Sequence, residues 1–314
     1  MSEKKNTIID VGLWQYVENH MPNIEKGLRR FLPLAPPQIE TKFNEAVEYA
    51  LFSGGKRLRP VLTLLGAELV GGEPEIIIPA AAAVEFIHTS SLIFDDLPCM
   101  DNASERRGKT SLHAHFGEGL SVLVAIGFLN ASYGLVFVNH KDSPELTRRA
   151  HAEIVECVGA AGMLGGQSVD LALAKGAGAN GFLSQKDNSK SEDYIFESIR
   201  NLKTSALMRL ALRVGAILEG ANHVELAHLL CFAELLGDAY QLSDDLIDMA
   251  EDREIFASDE TKKTFAINQG QEGARLKLKA ITDEAKRVLI DNFPPNQARF
   301  CLTQMTDYLA ERKV

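Results

Sequence analysis

The sequence predicts an all-α chain, one large helical domain over residues 1–314. Two observations carry this. Apolar residues recur at spacings of three and four, as in Leu202, Ala206, Leu210 and Val214, and again in Leu226, Leu229, Leu230, Ala233 and Leu236; that period places them on one helix face. Sustained alternation rich in Val, Ile and Thr, which a strand needs, is missing.

In chain order, the pattern predicts a helix over 12–31, closed by Pro33-Leu-Ala-Pro-Pro37, and a second over 39–53 that runs into a diglycine. A third over 58–70 stops at Gly71-Gly72. A fourth over 75–96 ends near Leu97, because Pro98 lacks a backbone donor and disfavours a helical predecessor. Helices over 118–139 and 143–173 precede a break at Gly176–Ser191. Two long helices follow over 191–218 and 223–252, then 273–291, Pro294-Pro295, and a last helix over 296–312. The breaks are short or lie between helices that need one another's apolar faces, and no repeat period is present.

Composition excludes several classes. With 46% hydrophobic residues the chain can bury a large core, and a net charge of −10 argues against nucleic acid, which selects clustered unpaired Lys and Arg. Cys99, Cys157, Cys231 and Cys301 form no Cys-x-x-Cys pair, so neither a zinc site nor a disulfide framework is indicated. With no apolar signal segment at the N-terminus, a cytoplasmic location is expected. Leu120 to Val138 is uncharged and about long enough to span a membrane. It is diluted by Ser121, Asn130, Ser132, Tyr133 and glycines, and a helix apolar all round also suits the centre of a bundle, so no span is expected.

Charge is concentrated in two acidic clusters. In Ser243-Asp-Asp-Leu-Ile-Asp-Met249, Asp244 and Asp248 lie four apart, one turn above the other on a helix. Two stacked carboxylates repel unless something positive sits between them, and hard oxygen ligands of this kind suit Mg²⁺. A solvated helix face is the usual fate of such a pair, but Tyr240, Leu242, Leu246 and Ile247 around it are not surface residues by type. In Asp95-Asp-Leu-Pro-Cys-Met-Asp101 the outer carboxylates would stand about 120° apart on a straight helix. A break at Pro98 lets Asp101 turn back beside Asp95. Arg106, Arg107 and Lys109 follow, and carboxylates with arginines suit metal and phosphate together, although a charged surface loop has the same composition. Lys56, Arg57 and Arg59 follow Gly54-Gly55, where glycine lets backbone approach an anion. The stretch is not a Walker loop.

Taken in order, Gly54-Gly-Lys-Arg-Leu-Arg-Pro60, Asp95-Asp-Leu-Pro-Cys-Met-Asp101 with Arg106-Arg-Gly-Lys109, Gly165-Gly-Gln167, Lys203-Thr204 and Tyr240-Gln-Leu-Ser-Asp-Asp-Leu-Ile-Asp248 resemble the trans-isoprenyl diphosphate synthases over about residues 40 to 265. The resemblance implies the isoprenoid synthase fold, a helical bundle around a central cavity, usually as a homodimer. It implies head-to-tail condensation of an allylic diphosphate with isopentenyl diphosphate, dependent on Mg²⁺, about three ions per site. Asp95, Asp101 and Asp244 would ligate the metal, with Asp96, Asp245 and Asp248 in support. Arg106 and Lys203 would bind the allylic diphosphate; Lys56, Arg59, His88 and Arg107 would bind isopentenyl diphosphate; Thr204 and Gln241 would face the developing cation. Taken alone, His88 in its apolar segment reads as a core residue and Gln167 as structural; only the resemblance promotes them.

The chain also departs from the pattern. Phe94 stands where histidine is common, Ala103-Ser104-Glu105 replaces a more acidic stretch, and Ala125-Ile126-Gly127 lacks an aspartate. The Gly-Lys expected after the second acidic cluster is replaced by Glu254-Ile-Phe-Ala-Ser258, leaving Lys262 or Lys263 as the substitute clamp. A non-catalytic partner of another prenyl synthase and a class I terpene cyclase are therefore alternative readings. For product length, the resemblance makes Ser90 and Ser91 decisive. An aromatic residue there stops elongation early, so two serines predict a twenty-carbon product, with farnesyl or longer chains as alternatives.

Overall fold

The computed structural model describes residues 12–140, 142–174, 192–251 and 265–312. Twelve helices occur among the described residues: α1 Leu13–Arg30, α2 Phe43–Phe52, α3 Leu58–Leu69, α4 Ile78–Asp96, α5 Leu112–Phe116, α6 Glu118–Leu135, α7 Pro144–Val158, α8 Met163–Ala174, α9 Glu192–Leu218, α10 His223–Glu251, α11 Phe265–Asn292 and α12 Gln297–Glu311. The only strands among the described residues, β1 Glu105–Arg106 and β2 Lys109–Thr110, form a two-residue antiparallel hairpin after α4.

Three boundaries differ from the periodicity. The stretch over 39–53 begins as turns and is helical only from Phe43, since the bonds from Ile39 to Pro36 and from Thr41 to Ile39 tie it locally. The helix expected over 143–173 is two, because the backbone extends at Gly159 before α8. The helix expected over 273–291 starts at Phe265 and kinks at Gly270, whose φ of 74° leaves the helical region.

The core is organised around α3 and α9, which pack on each other; α9 also packs on α10, α8 and α7, while α4 packs on α6. The α3–α9 contact is backbone to backbone. A Cβ on Gly66 would stand 2.1 Å from the carbonyl oxygen of Leu212, and one on Gly215 would stand 2.1 Å from that of Thr63. Reciprocal glycines therefore set how closely the first basic loop, at the start of α3, approaches α9. Helix α6 is not central as its composition suggests: only 33% of it is buried, and Leu123 and Ile126 are 58% and 50% exposed. It is the one helix among the described residues long and apolar enough to cross a membrane, by length and composition alone.

Candidate active site

The α4 helix carries the site on two of its faces. It stops at Asp96, and the amide of Asp101 then donates to the carbonyl of Asp95 at 3.0 Å, so the Pro98 turn brings Asp101 back beside Asp95 as the sequence predicts. Asp96 points elsewhere. It is buried, and Nε of Arg106 donates to its Oδ1 at 3.0 Å, with a second, very short contact from Nη2. One residue of helix turns a side chain by about 100°, so Asp96 leaves the direction of Asp95 and fixes Arg106. The hydrogen bond to Asp96 first, and then the charges of Asp96, Asp95 and Asp101, raise the pKa of Arg106 against the effect of burial.

A cationic face lies one to two turns lower. Nη1 of Arg59 stands 3.1 Å from Nε2 of His88. A guanidinium only donates, so Nε2 accepts and the imidazole carries its proton on Nδ1. That Nδ1 and the Nε of Arg59 are both buried without a protein partner. Burial, then Arg59, Arg107, Arg106 and Arg57, push the pKa of His88 well down, so the ring is neutral at pH 7. Burial likewise lowers the pKa of Arg59 and Arg107. Arg107 donates to the carbonyl of Gly54. A Cβ on Gly55 would stand 2.6 Å from Arg107 Nη1, so the second glycine leaves room for that guanidinium. Lys56 is exposed on the same loop. Two buried, unpartnered donors among these cationic side chains suit an anion with many acceptor oxygens.

From the other side, Tyr240 of α10 lies within electrostatic reach of both Arg59 and Arg107. Asp244 lies one turn on from Tyr240 along α10, on the same face. Its carboxylate meets Nη1 of Arg312 at the end of α12, and that guanidinium also stands over the Tyr240 ring, 5.6 Å from its centroid. Gln241 and Asp245 are half-buried. The side chains of Lys203, Thr204 and Asp248 lie outside what is described, as does all of Lys262. Among the described residues no group of three His, Cys, Asp or Glu side chains is assembled as a metal cage. Gln167 of α8 reaches Met100 in the acidic loop, 4.0 Å from its sulfur, with its own Oε1 buried and unpartnered. Ser90 is buried; Ser91 is half-buried, its hydroxyl bonded to the carbonyl of His88 at 2.8 Å.

Sequence reasoning missed Arg312 and the partners of Arg57. A guanidinium 68 residues from its carboxylate leaves no local signal. Glu85 does leave one, an unpaired acid in the run Ala80-Ala-Ala-Ala-Val-Glu85.

An all-α frame with a carboxylate cluster beside a cationic, partly dehydrated pocket defines an enzyme that handles diphosphates. The polyprenyl synthetase family model matches residues 40–287, and the chain belongs to that family, as a prenyltransferase acting on isoprenoid diphosphates. It is 39% identical to geranylgeranyl pyrophosphate synthase 7, chloroplastic, of Arabidopsis thaliana over 68% of this chain and 58% of that one. It is 34% identical to geranylgeranyl pyrophosphate synthase 6, mitochondrial, of the same plant, over 95% of this chain and 90% of that one. Among solved structures, an FPP/GFPP synthase from Zymomonas mobilis superposes with a TM-score of 0.80 at 28% identity, over 95% of this chain and 98% of that one.

Proposed function

We propose that the protein joins isopentenyl diphosphate head to tail to an allylic diphosphate in a Mg²⁺-dependent reaction, with geranylgeranyl diphosphate as product. The observation that carries this reading is the division of α4 into a carboxylate end and a cationic face, giving separate seats for two diphosphates. Relatives named geranylgeranyl pyrophosphate synthases support the product.

The donor set suits Mg²⁺. Its oxygens are hard, and this ion usually takes one or two carboxylates and completes its shell with water and substrate phosphates, so a protein cage is not required. Asp95 at the end of α4, Asp101 in the loop after it and Asp244 of α10 would hold it, with Asp96, Asp245 and Asp248 in support. When bound, the metal supplies positive charge against the leaving diphosphate.

The chain's own groups do the rest. Arg106, oriented by Asp96 through Nε and Nη2, keeps Nη1 for the allylic diphosphate; Lys203 and Lys262 are assigned to the same group. Lys56, Arg59, His88 and Arg107 hold isopentenyl diphosphate, a reading supported by the buried, unpartnered Nδ1 of His88 and Nε of Arg59. As the allylic carbon–oxygen bond breaks, its electron pair goes to the departing diphosphate, and these fixed cations stabilise that charge. The isopentenyl double bond attacks the cation, faced by Thr204 and Gln241, and the released diphosphate accepts the proton lost. The exposed apolar stripe of α6, including Leu123 and Ile126, supports a homodimer, and four cysteines that form no disulfide support a reducing, cytoplasmic setting.

Incubation with Mg²⁺, isopentenyl diphosphate and allylic diphosphates of increasing length, with products identified by mass, tests the reading. A twenty-carbon product is expected. Asp95→Ala or Asp244→Ala should lower turnover at least about a hundredfold, as loss of one electrostatic stabiliser does. Full activity in EDTA, or ordinary turnover in Asp95→Ala, would sink the proposal.

A further inference from the structure

Arg57 sits in the basic loop yet does not face the pocket. It caps α3 with a left-handed backbone, φ 49°, a conformation that a residue with a Cβ adopts only when its surroundings fix it. Its side chain is buried. Nε donates to Oε1 of Glu25 at 2.8 Å, Nη1 to Oε1 of Glu85 at 2.9 Å, and Nη2 to the carbonyl of Leu51 at 2.8 Å. One guanidinium thereby ties α1, the end of α2, the start of α3 and the middle of α4. Two of these ties bracket the pocket. Arg59 lies two residues after Arg57, and His88 lies three residues after Glu85, so the Arg57–Glu85 pair joins the two elements that Arg59 and His88 bridge at 3.1 Å. Glu85 also acts on Arg59 and Arg107, offsetting in part the burial that disfavours their charge.

We propose that Arg57 is a positioning residue for isopentenyl diphosphate: clamped between Glu25 and Glu85, it sets the register of the Gly54–Arg59 loop against α4, and so the spacing of Arg59 and His88, without touching substrate. This rests on reading the cationic pocket as the seat of that diphosphate. Three acceptors in different directions require the planar fork of an arginine; a lysine keeps the charge but is a single point on a flexible stem. The register effect must therefore show on one substrate only.

The test is Arg57→Lys, with both Michaelis constants, kcat and thermal midpoint measured, alongside Arg59→Ala. The expected result is a rise of at least about fivefold in KM for isopentenyl diphosphate, with KM for the allylic substrate and kcat within about twofold, since each tenfold change in affinity corresponds to only about 1.4 kcal/mol. A residue that merely stabilises the fold would lower the thermal midpoint and leave that ratio unchanged. Unchanged constants, or an equal rise in both, overturn the proposal. Arg59→Ala separates the two levels: if it too fails to raise KM for isopentenyl diphosphate, the assignment of the pocket is wrong; if it raises KM and Arg57→Lys does not, only the positioning role is lost. Should Arg57→Lys not fold, Glu25→Gln at the more exposed end of the network is read by the same criteria.

Discussion

At the scale of single residues, His88 is the most informative. Burial comes first among the causes of its lowered pKa, followed by Arg59 from α3, Arg107 and Arg106 from the hairpin, and Arg57 from the α3 cap. The sign follows from linkage. The unfolded chain takes up a proton near the ordinary histidine value of about 6.5, whereas the folded ring resists it to lower pH. His88 thus contributes stability that is fully present above about pH 6.5 and is lost as pH falls toward the folded pKa. The thermal midpoint of the apoprotein is expected to fall between about pH 7 and 5, and His88→Gln should flatten the slope. Equal slopes in the two proteins would mean that the ring titrates normally. The motif made His88 legible as a site candidate, but the tautomer and the neutral state were not, since the first comes from Arg59 and the second from burial and four guanidinium groups gathered from outside its own helix.

At the scale of elements, α4 is the proposed ruler for product length. Ser91 lies one turn, about 5.4 Å, below Asp95, and Ser90 follows on the adjoining face. Phe86 lies one turn below Ser90, fully buried, with its ring 5.2 Å from that of Phe128 on α6. Ile87 is also fully buried. On the proposed reading, the small serines would let a product chain pass beneath the carboxylates, and the buried Phe86–Phe128 pair would form the floor further down. Phenylalanine at Ser90, or separately at Ser91, should shift products toward fifteen carbons by mass analysis. Wild-type products at wild-type rates from both variants would remove the serines from the channel. The helix and its break at Pro98 were legible in sequence because periodicity and proline are local. That Asp96 turns away from Asp95 follows from local geometry too, but only the hairpin that returns Arg106 supplies its partner.

At the scale of the whole molecule, α6 exposes Leu123 and Ile126 three residues apart on one face, and apolar side chains so placed lower the free energy of the chain when a partner covers them. A second copy of the chain is the expected occupant, and sedimentation should give twice the chain mass. Leu123→Asp combined with Ile126→Asp should shift the protein to monomer and reduce turnover, while a wild-type protein that sediments as a monomer at micromolar concentration would count against the dimer.

The sequence by itself determined the helical class, the order of the helices to within a few residues, the two acidic clusters, the basic loop and the family, because each is written in residues close together along the chain. It also determined that Asp101 returns to Asp95, since a single proline suffices to turn the chain. Only the tertiary structure decided that α6 is an outer helix, because an apolar composition does not say which faces find partners. Only packing decided that Arg57 is a buried tie between four elements while Lys56 is exposed and Arg59 meets His88. That sorting depends on Glu25 and Glu85, which lie 32 and 28 residues away and meet one guanidinium where α1 and α4 come together. Arg312 reaching Asp244 is the extreme case. Long-range ion pairs leave no periodicity, so they become visible only when the helices that carry them are packed.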